Sequence, residues 1–289
     1  MNILSLCTGY GGLDLAVEEY FNAKTTLCAE IDKYASKVIE QNFNAENIGD
    51  LKNISDMNLQ DIDIITAGYP CQPFSHAGQR KGLDDERHIW PYIIKIIGKI
   101  QPKIIVLENV RGHLKLGFDT VIGDLSQNGY DATWALVRAS DVGAPHKRER
   151  IFVIAYSYCD AHSKSRRADR CVYDSSGSIV NGSDRNVNRC GFKIVSDASC
   201  EHESSVRQVQ KLGRRFASRS EMSMQAAPNP LVEDKINAEF VEYMMGLPKG
   251  WVTNVDISRA QQLKILGNGV VPQQAYYALE LLCGIQNAV

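Results

Sequence analysis

Cys71 stands in the run Pro70-Cys71-Gln72-Pro73-Phe74-Ser75, directly after the apolar stretch 62–67. A thiol set between two prolines at the carboxyl end of a buried strand has the surroundings of a nucleophile. Free thiols are only slightly ionised near neutrality, with pKa about 8.5, so such a site must lower that value or remove the proton when substrate binds. The common alternative, a small core hydrophobe, suits Cys28 and Cys283 better. Glu108 closes the apolar run that begins at Lys103 and is followed by Asn109-Val110. A carboxylate there is costly to bury without a partner, so it either points into a site or caps the next helix. His146-Lys147-Arg148-Glu149-Arg150 leads into the apolar stretch 151–156. Strand alternation puts Arg148 and Arg150 on one face, where they can project towards an anion or a base oxygen or simply form a charged strand edge.

A second group of residues reads as ligand-binding. Thr8-Gly9-Tyr10-Gly11-Gly12 joins the first β-rich run to a helical pattern, and glycines at such a junction admit a tight turn and a close approach of backbone to ligand. Gly-x-Gly-Gly is shorter than the dinucleotide fingerprint, and on its own it fits a structural turn equally well. Two carboxylates add to it. Glu30 ends the second strand, where it can accept both ribose hydroxyls, and Asp50 follows the next turn, where it can accept from an adenine amino group. The set suggests an adenosine-containing ligand without an anchored pyrophosphate.

The elements that must hold these residues follow from periodicity. Residues 2–6, 25–29, 62–67, 103–108, 133–138 and 150–156 read as strands, with helices at 12–21, 33–42, 89–100 and 118–127. Alternating strands and helices with nearly continuous apolar strands imply an α/β, doubly wound, mostly parallel sheet covered on both faces, with ligands at the carboxyl ends of the strands. Phe240, Met244, Met245 and Leu247 give an apolar stripe that stops at Pro248, and a final helix at 273–285 packs back on the sheet.

The region between differs. Residues 157–224 hold 14 serines and carry 12 Lys and Arg against 8 Asp and Glu, whereas the rest of the chain is acidic. A basic, loop-rich insert in an acidic body suits a polyanion or is a solvated excursion. The chain therefore divides into 1–156, an insert at 157–236 and a returning segment at 237–289. Its 289 residues are 44% hydrophobic, which excludes wholly disordered and collagen-like chains, and no run approaches the length of a membrane span. The start of the sequence lacks the pattern of a secretory signal, and the eight cysteines are too sparse for a disulfide scaffold, so a cytoplasmic location with reduced thiols is expected. Cys159, Cys171, Cys190 and Cys200 with His162 or His202 leave a structural zinc site open, but their spacings fit no regular zinc module and no metal is assigned.

In order and spacing these motifs resemble the S-adenosylmethionine-dependent cytosine-5 DNA methyltransferases, over nearly all of 1–156 and 237–289. Thr8 to Gly12 is similar to the cofactor loop, with Glu30 matching the ribose contact and Asp50 the adenine contact, and Ile31, Leu51, Pro70 and Asn268 completing the cofactor contacts. Pro70 to Ser75 is similar to the catalytic loop, followed by Gly82 and Asp85-Glu86-Arg87. The resemblance implies a Rossmann-like methyltransferase fold with a small target-recognition insert. Cys71 would be the nucleophile, Glu108 the group at N3 and the exocyclic amine, Arg150 the group at O2 with Arg148 supporting it, and Gln72, Ser75 and Arg87 nucleic-acid contacts. It implies double-stranded DNA as substrate, base flipping and a monomer. Whether a cognate restriction endonuclease acts on the same site stays open. The chain departs from the pattern in places: Cys7 replaces an aromatic residue, His146 a glutamine, Gly269 a small hydroxyl or methyl residue, and the segment 237–251 matches the penultimate motif loosely and lacks its usual arginine. One branch of the same family acts on transfer RNA, and a silent nucleic-acid-binding module would keep the same fold, so both remain alternatives.

Overall fold

The computed structural model describes residues 1–56, 59, 61–70, 89–158, 172–173, 179–180, 193–194 and 227–287. Its strands are β1 (Asn2–Leu6), β2 (Lys24–Ala29), β3 (Glu46–Asn47), β4 (Ile64–Gly68), β5 (Ile104–Val110), β6 (Tyr130–Val137) and β7 (Arg150–Ser157). They lie side by side in the order β3-β2-β1-β4-β5-β7-β6. All run parallel except β7, which is antiparallel to both β5 and β6. Within the insert, β8 (Val172–Tyr173) pairs with β9 (Ile179–Val180), and β10 (Lys193–Ile194) adds to the outer edge of β6. A short hairpin, β11 (Leu231–Val232) with β12 (Lys235–Ile236), precedes the returning segment.

The strands are apolar on both faces because helices cover both. On one side Leu4, Leu6, Ile65, Ala67, Ile105 and Leu107 meet Ile93, Ile96 and Ile97 of α3 (Trp90–Ile100) and Val121, Ile122 and Leu125 of α4 (Phe118–Gln127). On the other, Ile3, Ile64, Val106 and Ile154 meet Leu13, Ala16 and Val17 of α1 (Gly12–Phe21) and Ala275, Tyr276, Leu279 and Leu282 of the last helix. Each fully buried aliphatic side chain contributes about 1.5–3 kcal/mol. This is the doubly wound, mostly parallel sheet expected from the sequence.

Helix starts follow local capping. Asp32 accepts from the amides of Tyr34 and Ala35 to open α2 (Lys33–Asn42). Asn237 accepts from Glu239 N to open α5 (Ala238–Met244). Ser258 and Gln261 form a reciprocal capping box for α6 (Arg259–Asn268), a helix the periodicity did not predict because its sequence is largely polar. The last helix, α7, spans Pro272–Asn287, slightly longer than expected. A third apolar cluster joins Tyr10, Ala35 and Val38 to Met245, Leu247, Val252, Val255, Leu266 and Val271, seating the returning segment beside the glycine loop.

Candidate active site

The carboxyl ends of β1, β2, β4 and β5 open into a cleft of about 1090 Å³, lined also by residues 267–270 at the end of α6 and the start of the turn into the last helix. At its β1–β2 end, Gly9 N donates to Glu30 Oε2 (2.8 Å) and Asp32 N to Glu30 Oε1 (2.8 Å), which fixes the carboxylate at the cleft wall. Asn47 braces the same turn, accepting from Glu30 N (3.1 Å) and donating to Glu30 O (3.2 Å). Asp50 lines the cleft beyond β3, its Oδ1 accepting from Lys52 N at 3.0 Å. Ile31 presents a side chain 74% exposed to the same space. Cys7 also lines it; burial, with the charges of Glu30 and Asp50, pushes its thiol up to about 12, so it stays a neutral packing group.

At the β4–β5 end the buried carboxylate of Glu108 pairs with Arg150, Arg150 Nε to Glu108 Oε1 at 2.9 Å. Register explains the meeting: Val110 at the end of β5 is opposite Arg150 at the start of β7, so both side chains serve one sheet end. Burial raises the Glu108 carboxyl to about 7 against the opposing pull of Arg150 and Arg148. Its second oxygen lies over Gly68, where an added Cβ would be 3.6 Å away. Asn109 Nδ2 donates to Tyr69 O (3.0 Å), and the Tyr69 hydroxyl meets His113 Nε2 (3.0 Å), so the chain is braced as it reaches Pro70.

Thr8, Gly9, Gly12, Glu30, Ile31, Asp50, Leu51, Pro70, Glu108, Arg150 and Asn268 all line this one cleft. Tyr10 and Gly11 do not. The Tyr10 ring is fully buried, and its hydroxyl donates to Val270 O at 2.6 Å. Arg148, expected beside Arg150, has φ +28 and turns its guanidinium onto the carbonyl oxygens of Gly267 (2.9 Å) and Gly269. Its charge is still felt at Glu108. Cys71, Gln72, Ser75 and Arg87, and the cysteines and histidines weighed for zinc, lie outside the described residues. The sequence reading missed Asp14 and Lys264, both at the cleft. Asp14 was detectable: it sits on the same helical stripe as Leu13 and Val17, where a carboxylate has no solvated outlet.

The residues present fit an adenosyl ligand. Gly9 has φ +60 and no atom within 4 Å of where a Cβ would stand, leaving an open approach to backbone. Glu30 offers remaining lone pairs to a diol, Asp50 an acceptor for an amino group, and Ile31 an apolar face for a ring.

A family model described as C-5 cytosine-specific DNA methylase matches residues 1–169. The type II methyltransferase M.HaeII of Haemophilus aegyptius is 38% identical over 158 residues, covering 53% of this chain and 49% of that protein. M.BsuFI of Bacillus subtilis is 34% identical over 161 residues, covering 54% of this chain and 39% of that protein. The chain thus spans about half or less of the length of these relatives. A putative DNA modification methyltransferase encoded within an E. coli prophage superposes with TM-score 0.62 at 19% identity, covering 99% of each chain. The S. pombe Dnmt2 methyltransferase gives 0.61 at 19%, covering 98% of this chain and 99% of that one. At such identity the two structures bear on the fold alone.

Proposed function

Because the chain belongs to the C-5 cytosine-specific DNA methylases, we propose that it transfers a methyl group from S-adenosylmethionine to C5 of a cytosine flipped out of double-stranded DNA at a specific sequence. The observation that carries this reading is the buried Glu108–Arg150 pair, set in the same cleft as Glu30 and Asp50. Residues suited to an adenosyl group and residues suited to a base therefore line one cavity.

Cytosine C5 is a weak nucleophile. Addition of the Cys71 thiolate to C6 turns C5 into an enamine carbon, and S-adenosylmethionine, when bound, supplies the electrophilic methyl group. With its carboxyl raised to about 7, Glu108 holds a proton near neutral pH and can place it at N3, relieving the charge that thiolate addition delivers to the ring. Arg150 fixes one oxygen of Glu108 and keeps further N–H donors for O2 of the base. Loss of the C5 proton to a base then expels the Cys71 thiolate and restores the ring. Reaching both faces of the base requires its extrusion from the duplex. Sequence choice falls to the insert at 157–236, whose arginines suit phosphates and guanine edges. A cognate restriction endonuclease acting on the same site is the partner this reading adds.

Cytosine-methylation sequencing of DNA from cells expressing the wild type, with Cys71→Ser as control, tests the proposal. Methylation at one recurring motif, absent from the control, is expected. No DNA methylation from protein that binds S-adenosylmethionine would overturn it in favour of RNA or a silent module.

A further inference from the structure

Asp14 lies in the first turn of α1 and is 1% exposed. Its carboxylate takes a hydrogen bond from Thr66 Oγ1 (2.5 Å) on β4 and another from the Ser5 hydroxyl on β1. Among the described residues no lysine, arginine or histidine pairs with it. The titratable groups that feel it are Glu18, one turn along α1, and the Cys28 thiol of β2, neither of them a cation. Buried carboxylates ordinarily have a cationic partner, since hydroxyl hydrogen bonds alone replace only part of the lost hydration. Ser5, Asp14 and Thr66 all line the cleft, between Glu30 at one end and Glu108 at the other.

We infer that Asp14 supplies the counter-charge for a cationic group in the methionyl half of the bound cofactor, its amine or its sulfonium. The inference rests on the reading of the cleft as an S-adenosylmethionine site. Adenosine held by Glu30 and Asp50 directs the rest of the ligand across β1 towards β4, over the floor that Ser5, Thr66 and Asp14 form. Asp14 sits in the first turn of α1 and Glu108 is not among the charges that act on it, which favours the amine, the group farther from the base, as the one it faces. Asp14 is thus a positioning residue: holding the amino-acid tail fixes where the donor sulfur lies relative to the base.

Isothermal titration of the full chain with S-adenosylmethionine, S-adenosylhomocysteine and 5′-methylthioadenosine, which lacks the amino-acid tail, tests the inference. In Asp14→Asn, affinity for the first two falls roughly tenfold or more while methylthioadenosine binding is unchanged, which also reports an intact fold. A loss confined to S-adenosylmethionine assigns the sulfonium instead of the amine. Affinities unchanged from wild type for all three, or parallel loss of all three, overturns the role of Asp14. Wild-type protein that binds none of them overturns the reading of the cleft itself. Should Asp14→Asn not fold, wild-type titrations at pH 6 in two buffers of different ionisation enthalpy decide. Proton release on binding S-adenosylhomocysteine and none on binding methylthioadenosine is expected, and equal release overturns the inference.

Discussion

The Tyr10 ring occupies the space that a Cβ on Gly269 would need, since a carbon built there would lie 1.8 Å from Tyr10 Cε1. The Tyr10 hydroxyl bonds to Val270 O, so the ring both fills the gap and ties the glycine loop to the α6–α7 connection. The absence of a side chain at 269, a departure from the resembling family, is therefore matched by a large one at 10. Gly269 has extended backbone (φ −78, ψ −179), so conformation alone would permit another residue there. Gly269→Ser should cost about 1–3 kcal/mol through overpacking. Tyr10→Leu should recover part of that loss, although it is destabilising in the wild-type background. A double-mutant cycle by thermal or urea unfolding checks this, and additive losses would show that the two positions are uncoupled.

Glu108→Gln should lower methyl transfer by about a hundredfold or more, because the amide cannot deliver a proton to N3. The same substitution should change stability in the opposite direction. The folded-state carboxyl is raised from 4.5 to about 7, so its contribution is fully present below about pH 4.5 and is lost as pH rises through 7. The glutamine carbonyl can still accept from Arg150 Nε. Above pH 7.5 the variant should therefore be more stable than wild type by an amount on the order of 1–3 kcal/mol, and near pH 4.5 the two should converge. Melting curves across this range, paired with activity at saturating cofactor, are the check. Wild type remaining the more stable at pH 8 would mean that the Arg150 ion pair outweighs desolvation.

Strand ends were the most legible part of this site. Glu30 and Glu108 each follow a run of strand-forming residues, and a buried run that stops at a carboxylate points to the carboxyl edge of a sheet. The glycine loop was legible as a loop but not residue by residue. Gly9 and Gly11 both have positive φ, and the chain between them turns the Tyr10 side chain into the core, a direction that alternation cannot supply. Arg148 was misdirected for a related reason: it precedes β7 and has φ +28, so the two-residue strand period used to pair it with Arg150 does not apply. The helix α6 was missed because its apolar residues do not form a stripe; its one local signal in the sequence is the spacing of Ser258 and Gln261, which forms the capping box.

Arg148→Ala should weaken cofactor binding more than an ordinary surface change and lower stability by about 2–4 kcal/mol. Its guanidinium serves the carbonyl oxygens of Gly267 and Gly269, and its own carbonyl accepts from Gln274 Nε2 at 2.8 Å. Losing the side chain frees the connection that carries Asn268 and Val270 along the cleft. Arg148→Lys should recover only part of the loss, because one ammonium cannot reproduce the fork. Calorimetric affinity for S-adenosylhomocysteine together with the melting temperature checks this; a loss of turnover with both quantities unchanged would restore a direct catalytic role.

Glu242 is 2% exposed in α5, and its carboxylate gathers the loop that follows. Oε1 accepts from Val252 N (2.6 Å) and Thr253 N (2.9 Å), and Oε2 from Gly250 N (2.7 Å) and Thr253 Oγ1 (2.9 Å). The loop so held carries Trp251, whose Nε1 donates to Tyr10 O at 2.9 Å and whose ring meets Phe43 edge-on at 5.7 Å. A buried carboxylate eight residues from the first amide it serves thus reaches the glycine loop through a single indole. Glu242→Gln places an NH2 group against two donors and should cost about 2–4 kcal/mol. Amide hydrogen exchange should quicken at 250–253 and, through Trp251, at residues 9–12, with a smaller effect on β5 and β7. Faster exchange at 250–253 with no change at 9–12 would show that the indole does not transmit order to the glycine loop.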